Sequence, residues 1–128
     1  MSDIAWAMQI SRKGGGEVLK KVEIQRKTPG KGEIAIDVHA CGLNFADILM
    51  RMGLYPEAPP TPFVPGYEVA GTVAAVGPDV SDFSVGDRVM AASYFGGYAS
   101  YAVVEADKAL PMPDNLSFVE GAGLLVNF

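Results

Sequence analysis

One cysteine and one histidine are all the preferred zinc ligands in these 128 residues. A lone cysteine excludes an internal disulfide and fits a reducing, cytoplasmic setting. Cys41 and His39 stand two residues apart, a spacing that puts both on one face of a strand. That pair is too few for a closed tetrahedral site, and no Cys-x-x-Cys is present, so no zinc or other metal is expected. Cys41 reads as a small buried hydrophobe and His39 as an exposed or core-edge residue. No apolar run reaches the roughly 20 residues of a membrane span. The N-terminus also lacks the basic flank and apolar core of a signal peptide. Positive charge is in short supply: 10 Lys and Arg against 15 Asp and Glu give a net charge of −5. That balance excludes a nucleic-acid partner, which needs a basic face. The early basic residues, Arg12 to Lys31, are interrupted by Glu17 and Glu23 and read as a solvated strand surface. No Ser-His-Asp or Cys-His triad can be assembled. No Gly-x-Gly-x-x-Gly lies between a strand and a helix, and Gly14-Gly15-Gly16 reads as a turn.

What is present is a series of short apolar segments punctuated by glycine and proline. The length suits one domain, residues 1–128, with a core of its own. Residues 4–10 and 17–24 read as an opening strand pair around the glycine triplet. Residues 33–39 alternate: Ile34, Ile36 and Val38 face one way, and Ala35, Asp37 and His39 face the other, as in a half-buried strand. Residues 44–52 read as a helix capped by Asn44, with Asp47 in its first turn and Gly53 at its end. Pro56, Pro59, Pro60, Pro62 and Pro65 make a rigid loop. Strands are expected at 67–76, after Gly86-Asp87, and at 98–104. Ser117-Phe118-Val119-Glu120 has capping-box spacing and predicts a helix start. The fold class is therefore mainly β with short helices, a compact and partly open barrel.

Two segments carry a resemblance. Ala40-Cys41-Gly42-Leu43-Asn44-Phe45-Ala46-Asp47 and Gly66-Tyr67-Glu68-Val69-Ala70-Gly71 are similar to the active-site half of the medium-chain dehydrogenase/reductases. Their zinc-dependent branch reads Cys-Gly-x-Cys-His-x-Asp and Gly-His-Glu-x-x-Gly. Asn44 stands where the zinc-binding Cys would be, and Tyr67 where the His would be. Gly15-Gly16-Glu17-Val18-Leu19, Val73-Ala74-Ala75-Val76-Gly77, Val85-Gly86-Asp87-Arg88-Val89 and Gly97-Tyr98-Ala99-Ser100-Tyr101 resemble further strings of the superfamily. Arg51-x-Gly53-Leu54-Tyr55 is most like the vesicle amine transport protein 1 homologue subgroup. Each string is weak alone, but together they keep the family's order and spacing.

The resemblance implies a GroES-like barrel that ends near the start of a linking helix, with the Rossmann cofactor domain absent from this chain. It implies zinc-independent reduction of a quinone or enone by NADPH in the cytoplasm, in a homo-oligomer, with this chain inactive alone. It assigns Asn44, Asp47 and Tyr55 as catalytic, with neutral donors for a developing oxyanion. It places Tyr67 and Glu68 in the substrate cleft and Asn127 and Phe128 beside the cofactor. Read from the residues alone, other roles stay open. Asn44 and Asp47 serve equally as helix cap and dipole partner, Tyr55 packs on the proline loop, and Glu68 pairs with an arginine. Asn127 and Phe128 are then ordinary terminal helix residues. The rival to the enzyme is a non-catalytic association module, since fold does not dictate turnover.

Overall fold

The computed structural model describes residues 4–56, 58–93 and 95–124. Strand β1 (Ile4–Ile10) pairs antiparallel with β2 (Leu19–Gln25), from Ile4 opposite Gln25 to Ile10 opposite Leu19. Between them the glycine triplet leads into a short 3₁₀ turn, Gly16–Val18. This turn delays β2 by two residues against the expected start at 17, because Val18 is fully buried and its carbonyl accepts from the Ser11 N–H. Lys20 and Lys21 of β2 are exposed, as the interrupted charge pattern suggests.

The second sheet holds five strands in the order β6-β3-β4-β5-β7, all antiparallel. They are β3 (Glu33–Cys41), β4 (Glu68–Val76), β5 (Arg88–Ala92), β6 (Tyr101–Glu105) and β7 (Ala109–Pro111). Its main core gathers Ile34, Ile36, Val69, Val73 and Val89. Removing such side chains from water contributes roughly 1.5–3 kcal/mol each. The half-buried reading of β3 fails at Ala35. It is fully buried because Ala5 and Tyr101 pack over the opposite face of the sheet. Strand β6 begins at Tyr101 rather than 98. Its neighbours Tyr98 and Ser100 are drawn to β1 instead, where Met8 N–H donates to the Tyr98 carbonyl and Ser100 N–H to the Trp6 carbonyl. Ala7 and Ala99, and Ile10 and Phe63, form isolated bridges. These bridges reach residues outside the five strands, so no continuous ladder joins the two sheets and the barrel stays partly open. The short β7 was not expected, and Pro111 suits the edge position it takes.

Helix α1 (Phe45–Arg51) starts after Asn44 and ends where Gly53 takes a positive φ of 77°, a conformation glycine adopts without steric cost. It rests on Ile10, Val18 and Phe63 through Met50. Helix α2 (Phe118–Ala122) has the expected capping box: Ser117 Oγ accepts from Glu120 N–H at 3.1 Å, and Glu120 Oε1 accepts from Ser117 N–H at 2.9 Å. Ala122 seats it against Ala70, Met90 and Met112.

Candidate active site

The start of α1 organises three buried polar residues. Asp47, at the third helical position, is 6% exposed, and its Oδ2 accepts from the Asn44 main-chain N–H at 3.0 Å. The same oxygen accepts from the Tyr98 hydroxyl at 2.9 Å. Asp47 Oδ1 is buried without a partner. A buried carboxylate oxygen of this kind is costly in the folded chain and is a natural acceptor for a donor brought in by a ligand.

Asn44, 8% exposed, donates from Nδ2 to Glu68 Oε2 at 3.0 Å. Glu68 opens β4 and is fully buried. Gly42 makes room for it: a Cβ there would lie 2.6 Å from Glu68 Cγ and 2.7 Å from the Ala122 carbonyl. Asn44 therefore joins two buried carboxylates, one through its main chain and one through its amide. Their charge is felt nearby. Burial first, then the Asp47 charge and hydrogen bond, push the Tyr98 phenol well above its ordinary range. Burial first, then Asp47 and Glu68, raise the Cys41 thiol. Both groups are held in their protonated forms.

Asn44 and Asp47 line a cleft of about 580 Å³ together with Arg51 and Tyr98, and its walls include Ile10, Leu43 and Pro65. Arg51 donates from Nε to the Gly14 carbonyl at 3.3 Å, which ties the glycine turn to the helix. Neither Arg51 nor Tyr98 was singled out from sequence, although each lies in a string quoted for the family resemblance. The signal for Arg51 is its place one helical turn beyond Asp47. For Tyr98 no local signal exists, because its partner is 51 residues away.

The other expected residues lie elsewhere. Tyr55 and Tyr67 are brought together, with the Tyr67 hydroxyl donating to that of Tyr55 and the rings edge-on at 6.2 Å. Phe95 packs edge-on to Tyr67 at 6.1 Å. This aromatic cluster lies under α1 beside Met50, and neither tyrosine is among the residues lining the cleft. His39 and Cys41 do not share a face as expected. The β3–β4 register shifts between Val38 and Ala40, so Cys41 joins Val38 on the main core while exposed His39 stacks on Phe118 at 4.2 Å. Among the described residues no three His, Cys, Asp or Glu side chains come together as a metal site. Asn127 and Phe128 lie outside the described residues. No described helix is long and apolar enough to cross a membrane.

Comparison with known proteins bears on this arrangement. The Alcohol dehydrogenase GroES-like domain family matches residues 30–114. The Synaptic vesicle membrane protein VAT-1 homolog of Rattus norvegicus is 44% identical over 113 residues, covering 84% of this chain and 28% of that protein. The crystal structure of the human synaptic vesicle membrane protein VAT-1 homolog-like protein superposes with a TM-score of 0.95 at 36% identity, over 98% of this chain and 40% of that one. The Escherichia coli quinone oxidoreductase complexed with NADPH gives 0.88 at 39% identity, over 94% and 37%. The chain thus spans well under half the length of these proteins.

Proposed function

This chain belongs to the alcohol dehydrogenase GroES-like domain family of the medium-chain dehydrogenase/reductases, and on that premise we propose that it is the substrate-side domain of a quinone or enone oxidoreductase that uses NADPH. The observation that carries the reading is the cleft at the start of α1, where Asn44, Asp47 and Arg51 are set among apolar walls. A flat, apolar, electron-poor ring fits such walls, and a few polar groups suffice to orient it.

The described residues do not themselves fit a dinucleotide. The glycine triplet leads into a three-residue 3₁₀ turn rather than a helix whose N-terminus could seat a pyrophosphate. NADPH would be held outside this chain and would supply a hydride when bound. This chain's share is the oxygen of the substrate, where negative charge develops as the ring or alkene carbon is reduced. The Arg51 guanidinium and the second N–H of the Asn44 amide are donors suited to that oxygen. The other Asn44 N–H, spent on Glu68, fixes the amide plane. The buried Asp47 Oδ1 can accept from a hydroxyl of the reduced product. Tyr98 is a poor acid here, because its proton is committed to Asp47.

The test is NADPH consumption by the full-length protein with a benzoquinone and with an α,β-unsaturated ketone. Steady turnover that falls about a hundredfold in Arg51→Met, as expected for loss of an oxyanion donor, supports the assignment. No turnover with either acceptor would favour the association module instead.

A further inference from the structure

The family resemblance places Glu68 in the substrate cleft, but Glu68 is not among the residues that line it. It is fully buried where β4 begins, opposite Ala92 of β5, and its carbonyl accepts from the Gly42 N–H at 3.1 Å. Its side chain lies close over Gly42: a Cβ there would come 2.6 Å from Glu68 Cγ and 2.7 Å from Cδ. The carboxylate is thus held from a rigid part of the sheet. It reaches the cleft through Asn44, which does line it and whose Nδ2 donates to Glu68 Oε2 at 3.0 Å. The main chain of Asn44 is held separately, by Asp47 Oδ2 at 3.0 Å. What is left to be set is the side-chain amide. Its two ends are nearly equal in size and opposite in hydrogen-bonding character. An ionised carboxylate only accepts, so it draws the nitrogen end to itself and leaves the second N–H of that nitrogen for another acceptor. An apolar side chain at position 68 would give the amide no such direction.

The charge of Glu68 opposes the reaction read for this cleft, because negative charge near a developing oxyanion raises the barrier. Were charge its only influence, a neutral residue at position 68 would speed reduction. If its influence is the direction of the Asn44 amide, the same change slows it. The sign of the effect separates the two. We propose that Glu68 is a positioning residue that acts through Asn44, turning the amide so that an N–H rather than the carbonyl meets the substrate oxygen. The inference rests on the reading of the cleft as a quinone or enone site, and its test is arranged to separate the two.

The full-length protein, its Glu68→Met and Asn44→Ala variants and the variant carrying both are assayed for NADPH oxidation with duroquinone. In parallel, the side-chain amide signals of Asn44, identified by their loss in Asn44→Ala, are followed by NMR in nitrogen-labelled protein as duroquinone is added. The expected result is that Glu68→Met lowers kcat about tenfold or more with little change in KM, because a displaced donor is lost to the transition state rather than to the bound substrate. In the Asn44→Ala background the same change does not lower kcat, since the group it directs is gone. Duroquinone shifts the Asn44 signals in the unaltered protein and leaves them in place in Glu68→Met. A Glu68→Met protein that melts cooperatively and keeps or gains kcat overturns the proposal. So does an equal loss in both backgrounds, which is what a merely structural defect gives. If Glu68→Met does not fold, Glu68→Gln, which keeps the shape but offers the Asn44 amide either end, is read in the same way. A signal shift that depends on Glu68, without turnover, leaves the positioning standing and sinks the reductase. Turnover with kcat unmoved by Glu68→Met does the reverse. Absence of both the shift and turnover overturns both.

Discussion

Replacing Asn44 by alanine should weaken the fold far more than loss of a helix cap would. From sequence, Asn44 is a cap residue, and its removal would cost about 1 kcal/mol. In the folded chain the cap is built differently. Asp47 reaches back to the Asn44 main-chain N–H, a bond that alanine at position 44 would keep. What alanine removes is the amide that donates to Glu68 Oε2 at 3.0 Å, and Glu68 is fully buried. A hydrogen bond to a buried charge is worth about 1.5–3 kcal/mol, and the vacated space adds a smaller term. We expect a loss of about 2–3 kcal/mol in equilibrium urea unfolding. The cause can be isolated with a double-mutant cycle of Asn44→Ala and Glu68→Gln, in which the coupling should be about 1–2 kcal/mol. Asn44→Asp should be worse than alanine at neutral pH, because it sets a second carboxylate against Glu68. A loss below 1 kcal/mol with no coupling would refute the argument. It would mean that the Asn44–Glu68 bond does not hold the start of α1 to β4.

Three further outcomes are expected. The Tyr98 phenol is raised in the folded chain above its ordinary value of about 10. Its contribution is therefore complete below that pH and is lost as pH rises, because the unfolded chain ionises first. Tyr98→Phe should flatten the alkaline fall in melting temperature, and equally steep falls would show that Tyr98 is not responsible. Gly42→Ala should cost about 1–3 kcal/mol by overpacking, since its Cβ would press on Glu68 and on the Ala122 carbonyl; an unchanged unfolding midpoint would contradict the close approach of α2 to β3. Ser117→Ala should cost about 1 kcal/mol and speed amide exchange across Phe118–Ala122. Exchange unaffected there would mean that packing alone holds that helix.

Much of the architecture was legible because its signals are local. The start of α2 follows from Ser117 and Glu120, three residues apart, which satisfy each other's main-chain donors wherever that helix lies. Asn44, Asp47 and Gly53 mark α1 by the same kind of short-range bond and by a backbone angle that few other residues tolerate. The strand positions at β1 and β4 follow from apolar residues and turn glycines.

The site was legible only in part. Asn44 and Asp47 line one cleft, but what each one bonds to was settled by residues far along the chain. Glu68, 24 residues on, takes the Asn44 amide, and Tyr98, 51 residues on, takes Asp47. Tyr55 and Tyr67, expected at the cleft, bond to each other beneath α1. His39 and Cys41 part company because the register of β3 shifts against β4, and a shift in pairing cannot be read from either strand alone. By itself the sequence determined the caps, the turns and the strands, since these depend on neighbours within a few residues. Tertiary structure decided which polar groups are buried and which of them face one another, because burial and side-chain partnership depend on strand register and on which distant residue fills the space opposite.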